Sequence, residues 1–182
     1  MLVPPCMSNL WHFSTDRRSA WLLLGVTALT WSAFSWRLYT DGVAARAVLL
    51  PIDPASYHAA QAVFVGPLLV LLATVFARVA YVLARRAGGV GSWGETWGAL
   101  VSTYAGVLLL CFVAPDALIY LLAGREAMAR AMRYYAPWMP VLLAVSATVR
   151  LRGLHGIGAG RASLCVLAGL LVQLALGAPL LR

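Results

Sequence analysis

The chain contains no lysine. All fourteen of its basic residues are arginine, set against only six acidic ones, for a formal net charge of +8. Charged residues of both signs fill just 11% of its 182 positions, while 62% are hydrophobic and the mean hydropathy is +0.83. A soluble domain is about 25% charged and about 45–50% apolar. This composition therefore excludes a soluble enzyme, a disordered chain and a secreted disulfide scaffold. It is the composition of an integral membrane protein. The absence of lysine also points to a GC-rich coding sequence and hence to a bacterial source.

Cysteine and histidine are scarce as well. Cys6, Cys111 and Cys165 are far apart and make no metal-ligand spacing. His12, His58 and His155 belong to three separate segments, with no H-x-x-x-H and no neighbouring Cys or Glu. No serine sits in G-x-S-x-G, and no pair of carboxylates is placed to face one pocket. We expect no enzymatic activity and no cofactor. Gly89-Val90-Gly91-Ser92-Trp93-Gly94 matches G-x-G-x-x-G literally, but that fingerprint has meaning only after a strand. Here it joins two apolar stretches. A local account serves better: Gly88 and Gly89 end one helix by allowing left-handed backbone, and Ser92 with Glu95 forms a capping box for the next.

What the sequence has in abundance is apolar runs. A transmembrane helix needs about 20 mostly apolar residues to cross about 30 Å of hydrocarbon. Five segments answer this, at about 20–38, 58–83, 95–122, 134–149 and 162–181. The expected fold is all-α: a five-helix polytopic bundle (20–182) behind a short cytoplasmic tail (1–19). Arg17-Arg18 ahead of the first run has the look of a secretion signal. The run is longer than a signal's 7–15 apolar residues, however, and it carries Trp21, Trp31 and Trp36. We read it as an uncleaved anchor. Residues 124–133 read as a short interfacial helix, with Ala127, Met128, Ala131 and Met132 on one stripe and Arg125, Glu126, Arg130 and Arg133 mostly off it.

Orientation follows from arginine. Arg17, Arg18, Arg85, Arg86, Arg150, Arg152 and Arg161 hug their spans in short segments on one side, while Arg37, Arg46, Arg125, Arg130 and Arg133 are diluted through longer segments on the other. The positive-inside rule then puts the N-terminus in the cytoplasm, of a bacterial inner (plasma) membrane. On that side Arg85, Arg86, Arg150, Arg152, His155 and Arg161 form a basic rim able to hold phosphate through guanidinium forks and exposed amides. Anionic lipid is the expected partner, with other membrane proteins or further copies of the chain, and nucleic acid is not. Three polar residues fall within the spans, where they are costly and informative. Arg78 is near enough to the inner end to snorkel. Asp116 follows Pro115 and is placed to pair with Arg125, Arg130 or Arg133. Gln173, like Tyr104, is suited to a hydrogen bond between helices.

The second half, from about Ala84 to Leu181, resembles the Yip domain family of multi-span proteins, whose eukaryotic members interact with Ypt/Rab GTPases. The resemblance rests on Ala84-Arg85-Arg86-Ala87-Gly88-Gly89-Val90-Gly91-Ser92-Trp93-Gly94-Glu95-Thr96, then Tyr104, Pro115 and Trp138. Its most specific part is Arg152-Gly153-Leu154-His155-Gly156-Ile157 with Gly160-Arg161-Ala162. It implies five spans and a cytoplasmic N-terminus, as a bacterial-type member. Trafficking does not carry over, because a tail of under about twenty residues is too short for the region that binds such partners. Two functions remain as expectations. One is a membrane-organising or assembly subunit. The alternative is a transport component for a small solute, ion or lipid, using Asp116 and the proline-broken helices.

Overall fold

A computed structural model describes residues 16–45 and 52–181, the last four of these as backbone only. Most of the tail (1–15), with Cys6 and His12, lies outside the described residues, as do Arg46, Pro51 and Arg182. The described residues are all-helical, with no strand. The helices are α1 (Arg17–Thr40), α2 (Tyr57–Arg86), α3 (Trp93–Leu108), α4 (Ala114–Tyr135), α5 (Trp138–His155) and α6 (Ala159–Leu181), with a five-residue π turn, Leu109–Val113, joining α3 to α4.

Three helical stretches are long and apolar enough to cross a membrane: Tyr57–Arg86, Trp93–Tyr135 and Ala159–Gly177. Helices α1 and α5 fall short of that standard. The first is diluted by tryptophan, serine and threonine, and the second has 18 residues and ends among Arg150, Arg152 and His155. Both are nonetheless built into the bundle. α1 packs on α2 and α3, and α5 packs on α3 and α6, while α2 and α6 close the ring. The core between them holds Leu24, Leu69, Phe76, Leu100, Val101, Leu151 and Val166, all 2% exposed or less.

Close approach depends on small residues. A Cβ at Gly169 in α6 would lie 2.9 Å from the Phe76 carbonyl oxygen of α2, so only glycine lets these backbones meet. Buried polar groups then fix which helix faces which. Thr27 Oγ1 of α1 lies 2.7 Å from the Leu23 carbonyl and 3.2 Å from that of Ala105 in α3. Ser35 donates to Gln61 at 3.1 Å, linking α1 to α2, and Gln173 Nε2 of α6 donates to Tyr104 Oη of α3 at 3.0 Å. Such bonds are useful glue where the alternative is an unsatisfied group in hydrocarbon.

The break in the long third helix is not at Pro115. The proline removes an amide that would have bonded Cys111, but the π turn just before it absorbs the defect: the Ala114 N–H reaches back five residues to Leu109 O, and the dihedral angles stay helical. π turns are a known way of fitting such irregularities inside a helix. The true corner is Gly124, at φ 77° and ψ −179°, a conformation reserved for glycine. There the chain folds back, so that 125–135 returns alongside the end of the helix it left, and the Tyr135 hydroxyl reaches the Asp116 carboxylate. Residues 134 and 135 thus belong to the returning helix, and α5 starts at Trp138 rather than near 134. At 1.5 Å per residue, Asp116 lies about 34 Å along the helix from Trp93, slightly beyond a ~30 Å hydrocarbon layer.

Candidate functional site

Helices α1, α2, α3, α5 and α6 alternate in direction, so one end of the bundle collects the start of α1, the α2–α3 turn and the α5–α6 turn. Arg17, Arg18, Arg78, Arg85, Arg86, Arg150, Arg152 and Arg161 lie at this end, with only Asp16 and Glu95 to oppose them. The other end, among the described residues, has Arg37, Arg125, Arg130 and Arg133 balanced by Asp41, Asp53, Asp116 and Glu126. Charge is therefore segregated to one end of the bundle.

The arginine end is held by two turns that lock onto each other. Gly88 (φ 89°) ends α2 and Gly156 (φ 64°) ends α5, each in left-handed backbone. Gly89 does not share that conformation; its role is space. A Cβ there would lie 2.5 Å from His155 Nδ1 and 2.8 Å from the Ala84 carbonyl. Gly91 is similarly crowded, 3.0 Å from His155 Nε2. The Val90 N–H donates to the His155 carbonyl at 3.3 Å, completing the seam. Ser92 and Glu95 form the capping box reciprocally, so α3 starts at a fixed angle beside this seam.

The imidazole sits at the centre. Thr96 Oγ1 is 2.7 Å from the Ser92 carbonyl and 2.8 Å from His155 Nε2. A hydroxyl has one proton and the carbonyl can only accept, so Thr96 donates to Ser92 and accepts from Nε2–H. His155 is thereby a neutral Nε2–H tautomer, and Nδ1 is left buried without a hydrogen-bond partner. The groups facing the ring are Tyr81 and Arg85 of α2 and Thr96 and Glu95 of α3. Burial holds its pKa below the usual histidine value, Arg85 adds to the depression, and Glu95 partly opposes it. A histidine of depressed pKa binds its proton more readily when unfolded. Its contribution to stability is therefore complete above about pH 6.5 and is lost as pH falls below that value towards the folded-state pKa. His155→Gln should lower the melting temperature in detergent at pH 8, and the gap from the parent protein should narrow at pH 5. A gap that is constant with pH would show that folding leaves the pKa of this histidine unshifted.

Two arginines of the expected rim act as braces. Arg85 Nη1 donates to the Gly89 carbonyl at 3.1 Å, and Arg161 Nη1 to that of Ala87 at 3.4 Å, which ties α6 to the α2–α3 turn. Arg86 and Arg152 are exposed at the surface, and Arg150 is half-buried on α5. His155 is better described as the keystone beneath the rim than as one of its contacts, being 1% exposed. Arg78 is exposed, with its guanidinium 5.2 Å from the Trp93 ring centre and 5.7 Å from that of Tyr81, a cation–π arrangement.

The other intramembrane candidates lie elsewhere. Asp116 is near the neutral end and is engaged by Tyr135, not by Arg125, Arg130 or Arg133; Arg125 instead donates to the Ala44 carbonyl at 3.3 Å. Gln173 is committed to Tyr104. Among the described residues no group of three or more His, Cys, Asp and Glu is placed to hold a metal, and Cys111 and Cys165 are unpaired thiols. Arg17 was legible in the sequence as an orientation signal but not as part of a site; its guanidinium lies against Gly94 in the first turn of α3. No family model matches the chain, and no curated protein or solved structure matches it either.

Proposed function

We propose that the chain is a non-enzymatic, five-span protein of a bacterial inner membrane, with its N-terminus and arginine end in the cytoplasm. It organises the membrane by assembling with copies of itself or with other membrane proteins, and it gathers anionic lipid headgroups at the arginine end. The observation that carries this reading is the segregation of eight arginines against two acids at one end of the bundle. Each such residue near an anionic surface contributes about 1 kcal/mol of attraction. Counting α1 and α5 as crossings is supported by their packing as full members of the bundle and by the ~27 Å that 18 helical residues of α5 rise. The Yip-like character of residues 84–181 agrees with this topology and supplies no partner.

Asp116 was the sequence's main argument for transport. Its pairing with Tyr135 at a folded-back corner gives that carboxylate a structural task. Native mass spectrometry of the protein gently extracted from a phosphatidylglycerol-containing membrane tests the proposal. We expect retained anionic phospholipid together with a second chain, either another copy or a different membrane protein. The lipid signal should fall sharply in Arg86→Gln/Arg152→Gln. A lipid-free monomer would contradict the reading.

A further inference from the structure

The His155 ring is buried in the seam between the two arginine-bearing turns with one nitrogen satisfied and the other not. Nε2–H donates to Thr96, while Nδ1 lies against Gly89, so close that a Cβ there would be 2.5 Å away. No hydrogen-bond partner reaches Nδ1. The neutral ring fits this place, because its Nδ1 carries only a lone pair. A proton there would add an N–H with nothing to receive it and a charge cut off from water, both costly when buried.

The surrounding charge makes a further positive group harder to hold. Helix α2 presents Tyr81, with Arg78 beside it, and Arg85, while α3 presents Thr96 and Glu95. Arg85 is fastened to the Gly89 carbonyl of the same turn, and Glu95 is committed to the Ser92 hydroxyl and amide. On α6, Arg161 is held at the Ala87 carbonyl, and on α5 itself Arg150 and Arg152 precede the ring. Helix α4 carries its charged groups at the other end of the bundle. The other acid of this end, Asp16, starts α1, and it is Arg85 and Glu95 whose charges act on the ring.

The seam can open without unfolding a helix. The two turns are joined by the Val90 N–H bond to the His155 carbonyl, at 3.3 Å, and by Arg161 at the Ala87 carbonyl, at 3.4 Å. Both bonds are long. Local opening of so small a unit costs less than global unfolding. We infer that His155 is a proton-operated latch: the neutral ring keeps the α2–α3 turn seated on the α5–α6 turn, and protonation unseats it, releasing Arg85 and Arg161 from their brace positions. The latch does not rest on the lipid reading, since it acts whatever the arginine end binds.

Once unseated, the ring is in water and takes a proton with the usual histidine pKa of about 6.5. The seated ring takes it only at lower pH, because burial and Arg85 hold its pKa down. Between those two values each pH unit shifts the balance about tenfold towards the open seam, and above about pH 7 the balance is independent of pH.

The test is residue-resolved hydrogen exchange on the full-length protein in phosphatidylcholine nanodiscs, from pH 8 to pH 5, corrected for the intrinsic pH dependence of exchange. Protection of the Val90 amide should be constant down to about pH 7 and about tenfold lower at pH 5. The Asp41 amide at the other end, 3.0 Å from the Arg37 carbonyl, should keep its protection throughout. His155→Gln should abolish the pH dependence at Val90, whatever its level of protection. A second readout needs no change at position 155. With His12→Gln and His58→Gln the remaining imidazole is read by nitrogen-15 NMR, and its Nδ1 should gain a proton over the pH range in which Val90 loses protection. Val90 protection that is flat to pH 5, that falls equally in His155→Gln, or that stays high while Nδ1 takes up its proton would overturn the latch. So would a matching fall at Asp41, the mark of a bundle that unfolds as a whole.

Discussion

Gly169→Leu is expected to be the most damaging single change in the bundle. The cause is a backbone collision rather than a lost interaction. A Cβ at this position would be 2.9 Å from the Phe76 carbonyl oxygen and 3.0 Å from Cδ2 of the same residue, and no rotamer of leucine moves a Cβ. Helices α2 and α6 must separate, which strips contacts from Phe76 and Val166, both fully buried. Overpacking of a dense core costs about 1–3 kcal/mol even where side chains can yield, and here the obstacle is main chain. We expect the melting temperature in detergent to fall by ten degrees or so, with gel filtration showing a broadened or aggregated species. An unchanged melting temperature would show that α2 and α6 do not touch at this point. In a bilayer, where lipid is as apolar as leucine, such close packing is a main source of helix association.

The second large effect is expected at Gly89, and it links stability to the proposed function. Gly89→Ala places a methyl carbon against His155 Nδ1, His155 Cβ and the Ala84 carbonyl at once. The seam between the two arginine-bearing turns opens, and the Arg85 bond to the Gly89 carbonyl and the Arg161 bond to that of Ala87 lose their geometry. Stability should drop by about 1–3 kcal/mol. Trypsin should then cut at Arg85 and Arg86 much faster than in the parent, since the turn no longer rests on His155. Val90→Ala serves as the control, because its side chain is 77% exposed and its contribution to the seam is a backbone N–H. If Gly89→Ala and Val90→Ala are cut alike, the seam does not hold the rim.

These sites show where sequence reasoning reached its limit. Helix positions follow from the length of apolar runs, and helix ends from chemistry that acts within one turn: Ser92 with Glu95 at the start of α3, and Gly88 at the end of α2. Both are visible in four or five consecutive residues. The meeting of Thr96 with His155, 59 positions apart, depends on α3 packing against α5, and no local pattern announces it. The sequence pattern points to left-handed backbone at Gly88 and Gly89, yet only Gly88 adopts it; the small size of Gly89 and Gly91 answers to an imidazole from another turn. Asp116 looked destined for an arginine because three lie nearby in sequence. Its actual partner, Tyr135, is reached only because Gly124 reverses the chain. Arg17 is legible in the sequence as an orientation signal, but the cavity it lines with Trp21, Thr74, Trp93 and Trp97 exists only once α1, α2 and α3 come together.

The central claim, five crossings with the arginine end in the cytoplasm, is tested most directly by thiol accessibility in intact bacterial cells. Cys6, Cys111 and Cys165 are first replaced by alanine, and single cysteines are then placed at Val90, Gly158, Ser56 and Glu126, all exposed at helix ends or turns. A membrane-impermeant maleimide should label Ser56→Cys and Glu126→Cys in intact cells, and Val90→Cys and Gly158→Cys only after the membrane is disrupted. Labelling of Val90→Cys or Gly158→Cys in intact cells, or uniform behaviour of all four, would contradict the account.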